Sequence, residues 1–575
     1  MKYFRLILFF IFLPIFNVTF ADSVAEKTKY PNFCLKASKH NYIFKNFKSD
    51  PRFKLFMENI SQKAGKAYFF YIHDHYRHLF ELFEAFKKND ELGNPTKYEY
   101  ENFGQTISPT TLRYIKTAGD LLATFGDLNK KHIVEIGGGY GGQCYILSTL
   151  CDFASYTIID LPECNALTKR YLAKLGVKNV HFINKKKLNQ VKSYDLVISN
   201  YAFSEVDFNE QTKYLKKIIK STPNGYMMMN FISKEYGVSS LKMGDIIHKM
   251  IYMGKKGKLE REKPRVNPND FLLTWKSEQR VIQEYHPPVL EPGMNAVGYV
   301  HGGRLGDALI AFFHAKWIAY KTGLPLVCTP FTYYDHFNLT RIVPQLDFSA
   351  FNSIVGIRNM SEIRDERNST LYIVPYYPEC RSEYTHIKHN SWIPFIEVDW
   401  DDPVFKADII NCLESLDPVE TINLPENMIT VGVHIRRGGG YDSHEAIATL
   451  PLKFPGDDYY IKQIQRISEI YKDQPIYVYI MTDELNPKAI IENYKEILKN
   501  PYLHFDCRGQ DNAYTDTMFS DFFTIPKFDC LILCQSNFSI VASKMGNYSV
   551  KITPMTHNKK RKIDEIELIF DGSAR

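Results

Sequence analysis

Three features are scarce in this chain of 575 residues, and each scarcity removes a class of function. Charge of one sign is the first: 71 basic against 65 acidic side chains leave a formal net charge of +6, without the basic stripe that nucleic-acid binding requires. Nucleic acid is therefore not an expected partner. The lysine runs at 185–187 and 559–562 read as solvated surface and receive no role. Long hydrophobic runs are the second, since nothing after Phe20 resembles a membrane helix. Metal-ligating cysteine is the third. None of the ten cysteines forms a pair with zinc-site spacing and companion ligands, and Cys530 with Cys534 reads as core packing. Cys144, Cys151 and Cys164 fall where buried helix and strand ends are expected, so few disulfides and no metal are predicted.

What is present begins at the N-terminus. Lys2 and Arg5 precede an apolar run over 6–20, and Thr19 and Ala21 place small residues where signal peptidase cuts. Residues 1–21 read as a signal peptide, with a short membrane anchor containing Pro14 as the alternative. The expected location is the secretory pathway (Golgi or ER lumen or membrane) of a eukaryote, or an exported or membrane-associated one in a bacterium. The remaining length exceeds what one core serves, and 45% hydrophobic with 24% charged residues is ordinary globular composition. The expected domains are 22–290, with a helical N-terminal cap, and 291–575.

In the first half, a helix is expected around 112–125, a strand at 133–136, a helix through 146–150, and strands at 156–160, 196–199 and 226–231. Apolar strands alternating with helices imply a parallel sheet covered on both faces, with its ligand at the carboxyl ends of the strands. The run Ile133-Val-Glu-Ile-Gly-Gly-Gly-Tyr-Gly-Gly-Gln143 sits there. Gly137, Gly139 and Gly141 let the backbone turn tightly beneath a cofactor, and Asp160 ends the next strand where a carboxylate accepts ribose hydroxyls. Glu135, inside the first strand, favours a methyl donor over a nicotinamide, and no Tyr-x-x-x-Lys pair supports a dehydrogenase.

On Val134 to Gln143, Asp160-Leu-Pro-Glu163 and Ser199-Asn-Tyr-Ala-Phe-Ser-Glu205, the chain resembles S-adenosylmethionine-dependent methyltransferases, more narrowly putative sugar O-methyltransferases, over about 60–290. The resemblance implies S-adenosylmethionine contacts at Glu135, Gly137, Gly139 and Asp160, with the 199–205 loop closing over the reacting group. Glu205 is the candidate base, with capping of the following helix as the other role open to it. Tyr201 and Phe203 are either sugar-facing wall or core.

The stretch 255–294, charged and proline-bearing, reads as the domain junction. A new strand, glycine turn and helix follow at Gly298-Tyr-Val-His-Gly-Gly-Arg-Leu-Gly-Asp307, and further strands are expected at 429–435, 476–481 and 531–533. Two such half-units give a GT-B-like double-Rossmann domain, so the whole chain is expected to be α/β. In Val433-His-Ile-Arg-Arg-Gly-Gly-Gly440, strand alternation puts Arg436 on the face of His434 and Arg437 on the other. One arginine then grips a diphosphate and the other supports the loop.

With Gly302 to Gly306, His434-Ile-Arg-Arg-Gly438, Asp458-Tyr-Tyr460, Met481-Thr-Asp-Glu484 and Ser536-Asn-Phe-Ser-Ile540 in order, the second half resembles fucosyltransferases that share an H-x-R-R motif, nearest the alpha-1,2 type. The resemblance implies a GDP-fucose donor, inversion at the sugar carbon and no divalent metal. It puts Arg436 on the pyrophosphate as the catalytic cation, His434 and Arg437 beside it, Asp483, Ser536 and Ser539 around the nucleotide, and 302–306 on the acceptor side. Two departures stand out: Gly439 replaces an expected aspartate, with Asp442 displaced, and Asp307 replaces an asparagine, so the general base is unassigned. The expected function is a bifunctional enzyme that fucosylates a glycan and O-methylates a sugar. The alternative is a fucosyltransferase whose methyltransferase-like half is a glycan-binding scaffold.

Overall fold

The computed structural model describes residues 23–100, 104–185, 188, 193–267, 269–277, 285–357, 360–364, 368–374, 398–400, 402–439, 442–509, 517–556, 563 and 565–574. The expected signal peptide or anchor lies outside them. Among the described residues no helix is long and apolar enough to cross a membrane, and no group of three or more His, Cys, Asp and Glu could hold a metal ion. The nine cysteines described are free, and eight of them are buried.

The protein is mixed α/β and divides into two compact units. The first comprises Met1–Ser221 and Met229–Leu241, the second Thr222–Met228 and Lys242–Arg575.

The first unit opens with helices that include Tyr30–Lys39, Pro51–Met57 and Gln62–His75. Their starts are written locally. Asp50 accepts from Arg52 N ahead of Pro51, and Ser61 accepts from Ala64 N, each satisfying a donor that the first turn leaves open. A hairpin of β1 (Tyr98–Tyr100) and β2 (Gln105–Ile107) leads to the helix Pro109–Phe125, capped by Ser108. The sheet then forms from β3 (His132–Ile136), β4 (Ser155–Asp160), β5 (Val180–Asn184) and β6 (Leu196–Asn200), in the order β5-β4-β3-β6 and wholly parallel. Ile133, Val134, Ile158, Ile159, Val197 and Ile198 are fully buried, as expected of strands covered on both faces.

In the second unit, β7 (Asn224–Met229), β8 (Lys256–Arg261) and β9 (Phe271–Trp275) come first in the chain, followed by β10 (Ala296–Tyr299), β11 (Ser353–Gly356) and β12 (Thr370–Val374). Then come β13 (Ile429–Ile435), β14 (Ile476–Thr482), β15 (Leu503–Cys507), β16 (Cys530–Ile532), β17 (Val550–Met555) and β18 (Glu565–Asp571). A small parallel sheet has the order β10-β12-β11. The larger one runs β15-β14-β13-β16-β17 in parallel, continues antiparallel through β18, β8 and β9, and has β7 beside β9. The helix Leu305–Thr322 begins behind Arg304 and buries Phe312, Phe313 and Trp317.

One expectation is corrected here. The stretch 255–294 is not a bare junction, because β8 and β9 pair within it and β8 also pairs with β18. In β8 only Leu259 is fully buried, so the strand carries Lys and Glu at half-exposed positions and shows no apolar run.

Candidate functional site

In the first unit, the site forms where β3 ends. Gly137 has φ +77°, a backbone that L side chains rarely adopt, and a Cβ there would stand 2.1 Å from the Cβ of Ala202. Gly139 has φ +57°, and its Cβ would stand 2.3 Å from Met57 Cε. With Gly141 next, the turn feeds the helix Gly142–Ser148. Asp160 ends β4 beside it, half-buried, its Oδ2 accepting from Gly139 N at 3.2 Å and its Oδ1 from Leu161 N at 2.7 Å. Burial pushes this carboxyl up to about 6 against those two donations. Each oxygen has a second acceptor direction, as a pair of ribose hydroxyls needs.

Glu135 is buried in β3. Tyr156 donates to its Oε2 at 2.9 Å and Asn200 Nδ2 to its Oε1 at 3.4 Å, and burial lifts the carboxyl to about 8. It orders the strand end instead of lying open.

The 199–205 loop is anchored to the same turn, for Ser199 Oγ donates to Ile136 O at 3.1 Å and accepts from Phe203 N at 3.1 Å. Tyr201 follows at φ +73°, a strained conformation for a side-chain-bearing residue. Arg113 lies over its ring at 5.3 Å. Glu205 Oε1 accepts from Asn230 Nδ2 at 2.6 Å; burial raises the carboxyl, while Asn230 and Arg113 oppose the rise. Phe203 is fully buried and belongs to the core.

Sequence reasoning missed the residues that the N-terminal helices bring here. Lys48 is fully buried, 4.2 Å from the Tyr140 ring, and donates to Asn89 O at 2.5 Å and Tyr171 Oη at 3.2 Å. Burial brings it down to about 8, with Glu58 and Asp90 acting the other way. Glu58, raised to about 7 by burial, has an Oε1 without a hydrogen-bond partner, as does Asn200 Oδ1. A glycine cradle, a hydroxyl-accepting carboxylate and unpaired buried polar atoms together fit an adenosine cofactor with a charged tail.

In the second unit, the arginine pair leaves β13 in opposite directions, as alternation predicts. His434 Nδ1 meets Cys534 Sγ at 3.3 Å, and Arg436 Nη1 donates to Ser536 Oγ at 3.2 Å. Burial holds His434 down at about 4, so it is neutral at pH 7. Arg437 instead donates to Pro455 O at 3.2 Å and pairs with Asp457, which also accepts from Tyr494 Oη at 2.7 Å. Arg437 is thus the loop's support. Asp483 has the same task, accepting from Arg437 N at 2.5 Å and Gly438 N at 3.0 Å. Ser539 is fully buried and donates to Ser536 O, within its own helix.

Asp442, displaced in sequence, returns in space. Its Oδ2 accepts from Arg436 Nε at 3.1 Å and Nη2 at 2.5 Å, its Oδ1 from Lys453 at 3.0 Å, and Arg304 of the 302–306 stretch stands 3.6 Å away. Lys453 and Arg436 hold its carboxyl below the usual range, in spite of burial. Three cations around one carboxylate leave a local excess of positive charge, which suits a diphosphate. Asp307 accepts from Asn537 Nδ2 at 2.6 Å, so the first and last of the quoted motif stretches meet here. Lys453 was not singled out in advance, and Arg304 was read only as part of the acceptor-side stretch; proximity brings both to Asp442.

No protein-family model matches the chain, and no curated protein does. Among solved structures, the chain is similar to an rRNA methylase from Streptococcus thermophilus, at 18% identity and TM-score 0.23, over 29% of this chain and 98% of that one. It is also similar to magnesium protoporphyrin IX methyltransferase from Synechocystis PCC 6803 with bound SAM, at 13% identity and TM-score 0.24, over 29% and 81%. A third is mitomycin 7-O-methyltransferase, at 12% identity and TM-score 0.24, over 30% and 56%. Similarity at this level describes; the functional reading rests on the residues.

Proposed function

We propose that this protein is a two-site glycan-modifying enzyme, in which the first unit transfers a methyl group from S-adenosylmethionine to a sugar hydroxyl and the second transfers fucose from GDP-fucose to a glycan acceptor with inversion. The observation that carries the first half is the Gly137–Gly139 turn, where the backbone takes positive φ and a Cβ at Gly137 would overlap Ala202, placed against the Asp160 carboxylate. The second half is supported by the Arg436, Lys453 and Arg304 cluster and by the order of the motifs around it.

S-adenosylmethionine supplies an electrophilic methyl group. In that reading Asp160 takes the ribose hydroxyls, and the loop held by Ser199 covers the acceptor. Glu205, whose carboxyl burial has already made more basic, receives the proton of the attacking hydroxyl. Alignment contributes most of the acceleration, since an in-line displacement depends on the approach angle. In the second unit, Arg436 pairs with the diphosphate and stabilises the charge that grows on it as the bond to fucose breaks. Arg437 and Asp483 keep the loop in place while this happens. Both donors must be delivered to wherever the protein resides, and a eukaryotic secretory compartment would meet that need through transport.

The test is mass spectrometry of a mixed glycan pool incubated with the full chain and both donors, each donor omitted in turn. The expected result is a deoxyhexose gain that requires GDP-fucose and a methyl gain that requires S-adenosylmethionine. Absence of the deoxyhexose overturns the fucosyl half, and absence of the methyl overturns the other.

A further inference from the structure

Residues 23–28 take no part in either proposed reaction, yet they tie together three stretches of the first unit. Ser23-Val-Ala-Glu26 spells the Ser-x-x-Glu pattern of a self-capping turn. Ser23 Oγ accepts from Glu26 N at 3.3 Å and donates to Glu26 Oε2 at 2.9 Å, and the turn Ala25–Lys27 closes with Thr28 Oγ1 donating to Ala25 O at 2.8 Å. The segment is thus shaped by its own side chains, and Ser23 and Val24 are buried.

Two of its ties reach the carboxyl ends of parallel strands, the edge of the sheet where a ligand binds. Val24 N donates to Glu205 O at 2.9 Å, and Ser23 pairs antiparallel with Val206, so the loop after β6 gains a short length of backbone pairing. Glu26 Oε2 accepts from Lys185 Nζ at 2.7 Å, and Lys185, itself buried, directly follows β5. Burial raises the Asp160 carboxyl, and Lys185 is among the groups opposing that rise. The third tie is Lys27 Nζ donating to Gly237 O at 2.9 Å, in the 229–241 stretch of the same unit.

The 199–205 loop needs support from outside itself. Tyr201 holds a φ of +73°, and a strained residue persists only where its surroundings over-determine it. Asn230 fixes the Glu205 carboxylate, and Val24 fixes the carbonyl of the same residue. We propose that residues 23–28 are a strap that positions the Glu205 loop for methyl transfer, Val24 acting through the main chain and Glu26 through Lys185. The chemistry rests on the methyl-transfer reading, whereas the strap is a property of the fold. Both residues act through others and are positioning residues.

Val24→Pro tests the central bond, because Val24 already has φ −55°, which proline adopts, and the substitution removes the donor. Val24→Ala keeps the donor. Hydrogen exchange on the full chain, read by mass spectrometry, is expected to show amides of 199–206 exchanging at least about tenfold faster in Val24→Pro and a few-fold faster in Glu26→Gln, with 133–141 unchanged. Apparent kcat for methyl transfer to the mixed glycan pool should fall about tenfold, while the KM and the calorimetric Kd for S-adenosylmethionine stay within about twofold of wild type. Val24→Ala should recover most of both losses. Glu26→Gln carries the comparison if Val24→Pro does not fold. If the wild-type chain transfers no methyl group, the methyl-transfer reading fails and the exchange arm alone decides whether the strap holds the loop. Wild-type exchange at 199–206 in both Val24→Pro and Glu26→Gln overturns the proposal, and so does a loss of S-adenosylmethionine affinity in step with kcat.

Discussion

The turns after β3 and after β13 both end a parallel strand and both face a proposed ligand, but they are built in opposite ways. The first is made by removing side chains: at Gly137 and Gly139 the backbone takes positive φ, and at Gly137 a Cβ would overlap Ala202. The second is made by adding charge and then balancing it, with Asp442 on Arg436, Asp457 on Arg437 and Asp483 on the backbone. A site made of space fails when something is put in. A site made of balanced charge changes gradually as the balance is altered, and its acidic members are as informative as its basic ones.

The sharpest way to break the comparison is Gly137→Ala. It is expected to reduce S-adenosylmethionine affinity at least ~100-fold, about 2.7 kcal/mol, while GDP binding stays at its wild-type value, both read by calorimetry. Arg436→Lys is the counterpart in the second turn. It keeps the charge but loses the planar fork, so GDP affinity should fall about tenfold and S-adenosylmethionine affinity should not move. Asp442→Asn sharpens the contrast by going the other way. With its countercharge removed, the cluster should bind GDP a few-fold more tightly, and more steeply so at low salt, in the same titration.

A last prediction, read in stability instead of affinity, concerns Glu135. Its folded value of about 8 is above the ordinary carboxylate range, so between roughly pH 4.5 and 8 the folded state holds a proton that the unfolded chain has lost. Stability should therefore decline as pH rises through that window, by at most about 1.4 kcal/mol per pH unit. Glu135→Gln removes that decline, which thermal unfolding from pH 5 to 9 would read as a flatter profile for the variant. An unchanged slope would mean that Glu135 is ionised throughout.

How much of this was legible in the sequence follows the same division. β3, β4, β6, β13 and β14 are short apolar runs and lie within a residue or two of where periodicity puts them. Glycines before a helix and arginines after a strand are local patterns, so both turns could be read. Lys48, Glu58 and Arg113 could not, because they reach the first turn from helices whose sequence carries no motif, and their meaning is tertiary. Asp442 seemed out of register for a similar reason: its carboxylate meets Arg436 through space, a pairing that linear spacing does not measure. β8 was hidden by half-burial, which leaves charged residues along a strand.

The pairing of β8 with β18 has a consequence in time. Arg261 donates to Glu565 across 304 residues, so β8 leaves the ribosome long before its neighbour exists. At about 5–20 residues per second, that interval is on the order of 15–60 s, during which one rim of the strand has no neighbour to bond with. The two lysines and the glutamate along β8 keep that rim hydrated and discourage other strands from joining it. The charges that concealed β8 from sequence reading thus protect the nascent chain while it waits.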